Sequence, residues 1–494
     1  MTVRAVRVPR VGTLALLAVA EFMLTLDLSI VNVALPAIGS DLGFGADSLQ
    51  WVVNGYALAF AGFLLLGGRA ADLFGGRHVF LGALSVFVVA SLACGAATGQ
   101  VALVAALVVQ GLSAGVLSPA TLSILTATYD QPQARNRALS IWTAVAVGGG
   151  AVGALAGGVL TDALSWRWIF LVNVPVGAVL VAVAASRLPH GGLPRGGRQL
   201  DVPGALTVTG GLIALVWGLI RTDTAGWASA EVLGAFALAG VLLGAFAVVE
   251  TRLARAPLVP FAVFRSRLVS AGNLMSFLSF VPVMATWYLL TLYLQGVRGY
   301  TPIQAGLIFL PMSLAVIGGS QVSFRLIASV DARLLFAAGG LVAAAGMAWL
   351  GRLSADTAIA AVIAPGCVAM AGGGLMFAPI TVAATSGAAP DQGGLASGLL
   401  NTTRQIGGAI GLAVLATIAA SHTAPVGSGA ALSAGYATAL RAGAAIFVAT
   451  TIAGALTLPA RLGAPADDQP GRAGGLISRR VRAVNGRRVR ARTP

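Results

Sequence analysis

The chain has 494 residues, 57% of them hydrophobic and 10% charged, with a net charge of +15. A soluble domain carries about a quarter charged residues, so this composition excludes one and points to a membrane protein. All 31 basic residues are arginine; without lysine there is neither a P-loop, whose motif ends in Gly-Lys-Ser/Thr, nor a Schiff base.

A bilayer core about 30 Å thick is crossed by about 20 apolar residues in a helix. Fourteen apolar runs predict fourteen spans, the first six at 11–38, 49–68, 79–97, 101–125, 138–160 and 168–185. Two more follow at 203–220 and 232–250, and the last six at 269–294, 305–326, 334–350, 359–383, 395–420 and 435–458. The start imitates a secretion signal, with Ala18 and Ala20 spaced like a cleavage site. The apolar run continues well beyond Ala20, so it reads as an uncleaved first span.

With a cytoplasmic N-terminus, the inner segments hold 26 of the 31 arginines. Arg167, Arg221, Arg298 and Arg352 fall outside, and Arg441 lies near the outer end of the last span. That asymmetry obeys the positive-inside rule. It predicts both termini in the cytoplasm and an even number of spans in the cell membrane. The basic charge thus reports topology and not a nucleic-acid partner.

Site chemistry is sparse. His78, His190 and His422 lie at loops and helix ends, without partners at metal-ligand spacing. Cys94 and Cys367 sit in separate apolar runs and indicate neither compartment nor disulfide. No Ser/His/Asp arrangement is readable, so the chain is expected to be no enzyme and to need no metal or cofactor. Gly148, Gly150 and Gly153 satisfy G-x-G-x-x-G, but no strand precedes them and no acid follows at ribose distance. Gly149, Gly153 and Gly157, spaced by four, read instead as a stripe that lets another helix approach closely, and Gly407 with Gly411 forms a similar face.

Two stretches resemble each other: "RNRALSIWTAVAVGGGAVGALAGGVL" from Arg135 and "GLASGLLNTTRQIGGAIGLAVLATI" from Gly394. They fall in the fifth and thirteenth spans, which suits two six-helix halves with spans seven and eight inserted between them. The expected organisation is a cytoplasmic N-terminus (1–10), an N-terminal six-helix bundle (11–187) and a loop with the inserted helices (188–266). A C-terminal six-helix bundle (267–458) and an Arg-rich, disordered cytoplasmic tail (459–494) complete it.

Several motifs carry a family resemblance. "LDLSIVNVALP" at 26–36 resembles the first-helix motif of the fourteen-helix drug:proton antiporters of the major facilitator superfamily. "GGRAADLFGGR" at 67–77 resembles the superfamily's loop between helices two and three, with Gly68, Asp72, Gly75 and Arg77 at the expected spacing. "SWRWIFLVNVPVG" from Ser165, "DVPG" from Asp201, "LYLQGVRGYTPIQAGLIFLP" from Leu292 and "GLASGLLNTTRQIGGAIG" from Gly394 are similar to stretches of the same branch. The resemblance implies an all-α major facilitator fold of fourteen helices, with a cavity between two rocking halves. It also implies that the loop motif latches the cytoplasmic face. Gly68 and Gly75 are expected to permit its tight turn, and Asp72 to pair with an arginine or cap a helix. Two positions depart from the family pattern: Leu107 stands where an arginine precedes Gln110-Gly111, and Gly153-Ala154 replaces Gly-Pro.

Two acids occupy the first span. A charge at mid-bilayer costs from about 3 to more than about 10 kcal/mol. Asp27 lies about 22 Å along its helix from Gly12, just beyond mid-bilayer, with Glu21 about 9 Å nearer the cytoplasm and roughly 120° around, so the two point apart. A carboxyl group held in low dielectric can carry a proton, and the family motif includes Asp27 while leaving Glu21 outside. Asp27 is the expected coupling acid and Glu21 a secondary candidate; each could also serve as a neutral hydrogen-bonded spacer or pair with Arg404. Cavity-lining candidates are Asn32, Asn54, Tyr56, Asn273, Trp287, Tyr288, Gln295, Asn401, Arg404 and Gln405. An apolar cavity with a few such groups suits amphipathic organic molecules. The expected function is proton-driven export of a hydrophobic small molecule such as an antibiotic or biocide, with substrate, protons and lipid as partners and no ATP. An uptake symporter or facilitator of the same fold is the alternative, and a membrane-bound enzyme or structural protein a remote one.

Overall fold

Each apolar run closes into a helix, because an unsatisfied backbone group in lipid costs several kcal/mol and a helix satisfies its own. The computed structural model describes residues 10–129, 131–188, 200–254, 257–386, 393–423 and 429–458, and they contain no strand. The tail 459–494, residues 1–9 and most of the loop after the sixth span lie outside the described residues. In chain order the first helices are α1 (Arg10–Leu42), α2 (Trp51–Phe74), α3 (Gly76–Gly95), α4 (Gln100–Thr128) and α5 (Pro132–Ala163). A turn at Trp168–Leu171 leads into α6 (Asn173–Arg187), and α7 (Val202–Ala225) and α8 (Ala230–Val248) follow. The remainder are α9 (Arg267–Leu292), extended by a π-turn at Tyr293–Val297, α10 (Pro302–Leu326) and α11 (Ala332–Leu350). Then come α12 (Ala360–Leu375, resumed as Phe377–Ser386), α13 (Gly393–Ser421) and α14 (Gly429–Thr457).

Thirteen helical segments among the described residues are long and apolar enough to cross a membrane. The fourteenth is α5, whose 32 residues reach about 48 Å and lie alongside α1. Pro36, Pro119, Pro282, Pro311 and Pro365 sit inside helices, as membrane spans tolerate more readily than soluble helices do. Helix starts carry side-chain caps: Asp201 accepts from the Gly204 N–H at 2.8 Å, and Thr301 with Gln304 forms a capping box.

Two six-helix bundles, α1–α6 and α9–α14, make the molecule, with α7 and α8 at their flank. In the first, α5 presses its glycine stripe on the α1 backbone. A Cβ at Gly149, Gly153 or Gly157 would lie 2.7, 2.9 or 2.6 Å from the carbonyl oxygen of Phe22, Leu26 or Ile30. Both ladders climb by four, so α1 and α5 run parallel. The second bundle repeats the device, with Gly407 and Gly411 of α13 against the backbone of Phe277 and Val281 in α9.

The bundles meet along two seams, α5 with α10 and α2 with α13. Gly306 of α10 rests on the Ala154 carbonyl of α5, where a Cβ would come within 2.7 Å, and Gln295 donates to the Val33 carbonyl at 2.7 Å. Along the other seam the Thr402 hydroxyl of α13 donates to the Ala61 carbonyl of α2 at 3.4 Å. Helix α7 spans this seam: Trp217 lies 5.9 Å from Trp51 of α2, and the Leu219 carbonyl accepts from Thr417 of α13 at 3.4 Å.

Candidate functional site

Asp27 is 1% exposed, on the flank of α1 that faces α4 and α6. Its Oδ1 accepts from the Asn173 amide at 2.7 Å and the Gln110 amide at 3.1 Å. Both amides also donate to the Ser91 hydroxyl, at 3.1 and 3.0 Å, and Ser91 donates to the Phe170 carbonyl at 3.0 Å. The Cys94 thiol donates to Gln110 Oε1 at 3.5 Å, completing the amide's bonds. Two helices, α4 and α6, thus hold one carboxylate oxygen, and a third, α3, braces them. The other, Oδ2, is buried with no hydrogen-bond partner, so it is the atom at which a proton can be added without breaking the clasp.

Glu21 is held differently. Its Oε1 accepts from the Ser118 hydroxyl at 3.0 Å and its Oε2 from the Thr121 hydroxyl at 3.2 Å. Both acids nevertheless end on α4. That helix crosses α1, meeting one flank at Asp27 and another at Glu21. Neither acid pairs with Arg404. The Arg404 guanidinium lies over the rings of Phe280 and Phe377, its Cζ 4.8 and 4.7 Å from their centroids, in the other bundle. Among the described residues, surface ion pairs join Arg167 to Asp41 and Arg221 to Glu231, each at 2.7 Å.

The loop motif is mostly helix. Gly68 lies within α2, where a Cβ would rest 3.7 Å from Pro119 of α4, because α2 continues to Phe74. It therefore takes no part in the turn. Gly75 alone makes it, with φ +82°, a conformation that favours glycine. Arg77 donates to the Ala185 carbonyl at 2.8 Å, tying the start of α3 to the end of α6. The Asp72 side chain lies outside the described residues.

The cavity candidates divide into three groups. Asn273 is engaged in packing, donating to the Val269 carbonyl at 2.9 Å and accepting from Thr403 at 3.1 Å. Gln295 bridges the bundles, and Trp287 meets Phe309 edge-on at 5.0 Å, with Tyr288 buried beside it. Asn54 is fully buried with both amide atoms unpartnered, and the Asn32 Oδ1, Tyr56 hydroxyl and Gln405 Nε2 are likewise buried and unpartnered. Asn401 is exposed and accepts from Arg404 at 3.5 Å.

Sequence reasoning named Asp27 but missed its clasp. Gln110, Asn173 and Ser91 were visible as polar residues in apolar spans, the signal that marks a functional group in a membrane. Ser118 and Thr121 gave a weaker signal, because small hydroxyls often bond their own helix backbone.

The family model described as Major Facilitator Superfamily matches residues 17–412. A cephamycin export protein of Amycolatopsis lactamdurans is 46% identical over 440 residues, 88% of this chain and 90% of that protein. A puromycin resistance protein of Streptomyces alboniger is 39% identical over 422 residues, 84% of this chain and 82% of its own. Among solved structures, a D-xylose-proton symporter superposes with a TM-score of 0.65 at 12% identity, covering 91% of this chain and 98% of that one.

Proposed function

Since the chain belongs to the major facilitator superfamily, we propose that it expels an antibiotic-type small molecule across the cell membrane in exchange for protons. The observation that carries this reading is Asp27: a buried carboxyl group with one oxygen clasped by two amides and the other unpartnered. A carboxylate deep in the membrane is costly unless it has a use, and this one can take up and release a proton at Oδ2 without disturbing its anchors. The export and resistance proteins to which the chain is similar support the outward direction.

In this reading the N-terminus and C-terminus are cytoplasmic, and the bundles rock about a site between them. The α2–α3 turn at Gly75, with Asp72 and Arg77 on either side of it, closes the cytoplasmic face, while Gly68 packs α2 against α4. A proton arriving from outside neutralises Asp27 and lowers the cost of reorientation; its release inside restores the charge and favours rebinding of cargo. Glu21 is secondary, since both its oxygens are occupied by hydroxyls. ATP, metals and cofactors have no part in the cycle.

Cells expressing the chain should accumulate less of a test dye or antibiotic than control cells, with the deficit abolished by a proton ionophore. Higher accumulation in expressing cells, or a deficit indifferent to the ionophore, would refute proton-driven export.

A further inference from the structure

Arg404 is the twelfth residue of α13, about 17 Å from its start, and well inside a span. An arginine stays charged at every physiological pH, so unlike a carboxyl group it cannot shed its charge when buried. The six spans α9–α14 contain no Asp or Glu that could compensate it. The two membrane acids, Asp27 and Glu21, are in the other bundle and already bonded to α4 and α6. Among the described residues no carboxylate lies within ion-pair distance of the Arg404 guanidinium.

What Arg404 does have is an aromatic corner. Phe280 of α9 and Phe377 of α12 stand 6.0 Å apart at 67°, and the Arg404 Cζ lies over both rings. Cation–π contact of this kind engages the faces of the guanidinium and leaves its in-plane N–H groups to find acceptors. One reaches Asn401 Oδ1 at a long 3.5 Å, and the buried Nε has no acceptor at all. A planar fork of donors with unused capacity matches a carboxylate bidentately. The same corner offers two rings to an apolar body.

We propose that Arg404, with Phe280 and Phe377, is the cargo subsite and that the transported molecule is an amphipathic organic carboxylate. The proposal deepens the export reading and rests on it for direction, but binding at Arg404 does not depend on coupling. The carboxylate occupies the fork, the apolar body lies against the two rings, and Asn401 flanks the pair on the exposed side. The clasped Asp27 handles the proton in one bundle while Arg404 handles the anion in the other. A dication would meet Arg404 unfavourably, which agrees with the scarcity of acids in the later spans.

The test uses full-length protein in neutral detergent, with dansyl-phenylalanine as the amphipathic carboxylate and its uncharged amide as the control. Binding is read by energy transfer from tryptophan. The wild type should bind the carboxylate at least tenfold more tightly than the amide. Arg404→Gln should remove that preference while leaving amide binding within twofold, which also reports that the variant is folded. Arg404→Lys, which keeps the charge but loses the fork, should lose at least threefold in carboxylate affinity alone. Equal binding of both probes by the wild type, or parallel loss of both in Arg404→Gln, overturns the proposal. So does disappearance of the preference when phosphatidylglycerol is added, because the counter-ion would then be a lipid phosphate. In phosphatidylcholine vesicles, a persistent carboxylate preference without proton-driven flux would sink the export reading alone.

Discussion

Asp27 Oδ1 takes two amide donors while Oδ2 takes none, and this asymmetry separates the roles of the residues around it. Asp27→Asn is nearly isosteric and permanently uncharged, so the variant should fold and bind cargo yet lose exchange driven by an imposed pH step in proteoliposomes. Wild-type exchange by that variant would remove Asp27 from the coupling step. Glu21→Gln should behave differently: the Ser118 and Thr121 hydroxyls can donate or accept, so an amide there stays satisfied and flux should remain within about threefold of wild type. Asn173→Leu deletes the shorter of the two bonds to Oδ1. A hydrogen bond to a charged group is worth about 1.5–3 kcal/mol, so the ionised form is weakened and turnover should fall about tenfold or more. If Asn173→Leu turns over normally, the clasp is structural. Leu107, at the site of the family's arginine, is fully buried and supplies no charge, which leaves Asp27 with few substitutes.

At the scale of helices, the α1–α5 seam decides whether these side chains meet. Gly148, Gly149 and Gly150 are consecutive, yet only at Gly149 would a Cβ strike α1, while one at Gly148 or Gly150 would meet nothing within 4 Å. Gly150→Ala should therefore be nearly silent in expression and transport. Gly153→Val should be severe, because the Leu26 carbonyl and Ser29 Cβ stand 2.9 and 2.8 Å from its Cβ position and α1 carries Asp27 one residue on. Overpacking of this kind costs about 1–3 kcal/mol or more, and thermal unfolding in detergent should fall by several degrees for Gly153→Val alone. Comparable melting of both variants would mean that the seam is not tight. The stripe was legible in the sequence because its period of four is a local property, as were the spans, each set by its own apolar content. The partners of Asp27 were not legible: which polar residue of α4 or α6 faces α1 depends on how helices more than 80 residues apart cross. For the same reason Asn273 looked like a cavity residue, although Thr403 and the α9 backbone use its amide. The motif at 67–77 was read as a loop, although α2 extends through most of it.

Across the whole molecule, the proposed export cycle makes charge the source of both orientation and driving force. The arginine asymmetry along the chain leads us to expect reporter fusions after Pro194 and Pro494 to read cytoplasmic and one within 41–47 to read external. A cytoplasmic reading from that first loop would reverse the assignment of proton entry. Orientation matters because the two charged groups lie in different bundles, Asp27 in the first and Arg404 in the second. If the cargo leaves as an anion while a proton enters, each cycle moves two charges in the direction that an inside-negative potential favours. A potential of about 100 mV contributes about 2.3 kcal/mol per charge, hence about 4.6 kcal/mol for an anion exchanged with one proton. That sustains roughly a two-thousand-fold cargo gradient at equal pH, against about fifty-fold for an uncharged cargo. Proteoliposomes clamped with valinomycin and potassium, at equal pH on both sides, can measure this directly with dansyl-phenylalanine and its amide. The carboxylate gradient should change with potential about twice as steeply, on a logarithmic scale, as that of the amide. Equal slopes would mean that the cargo crosses without its charge, and Arg404 would then have no anion to carry.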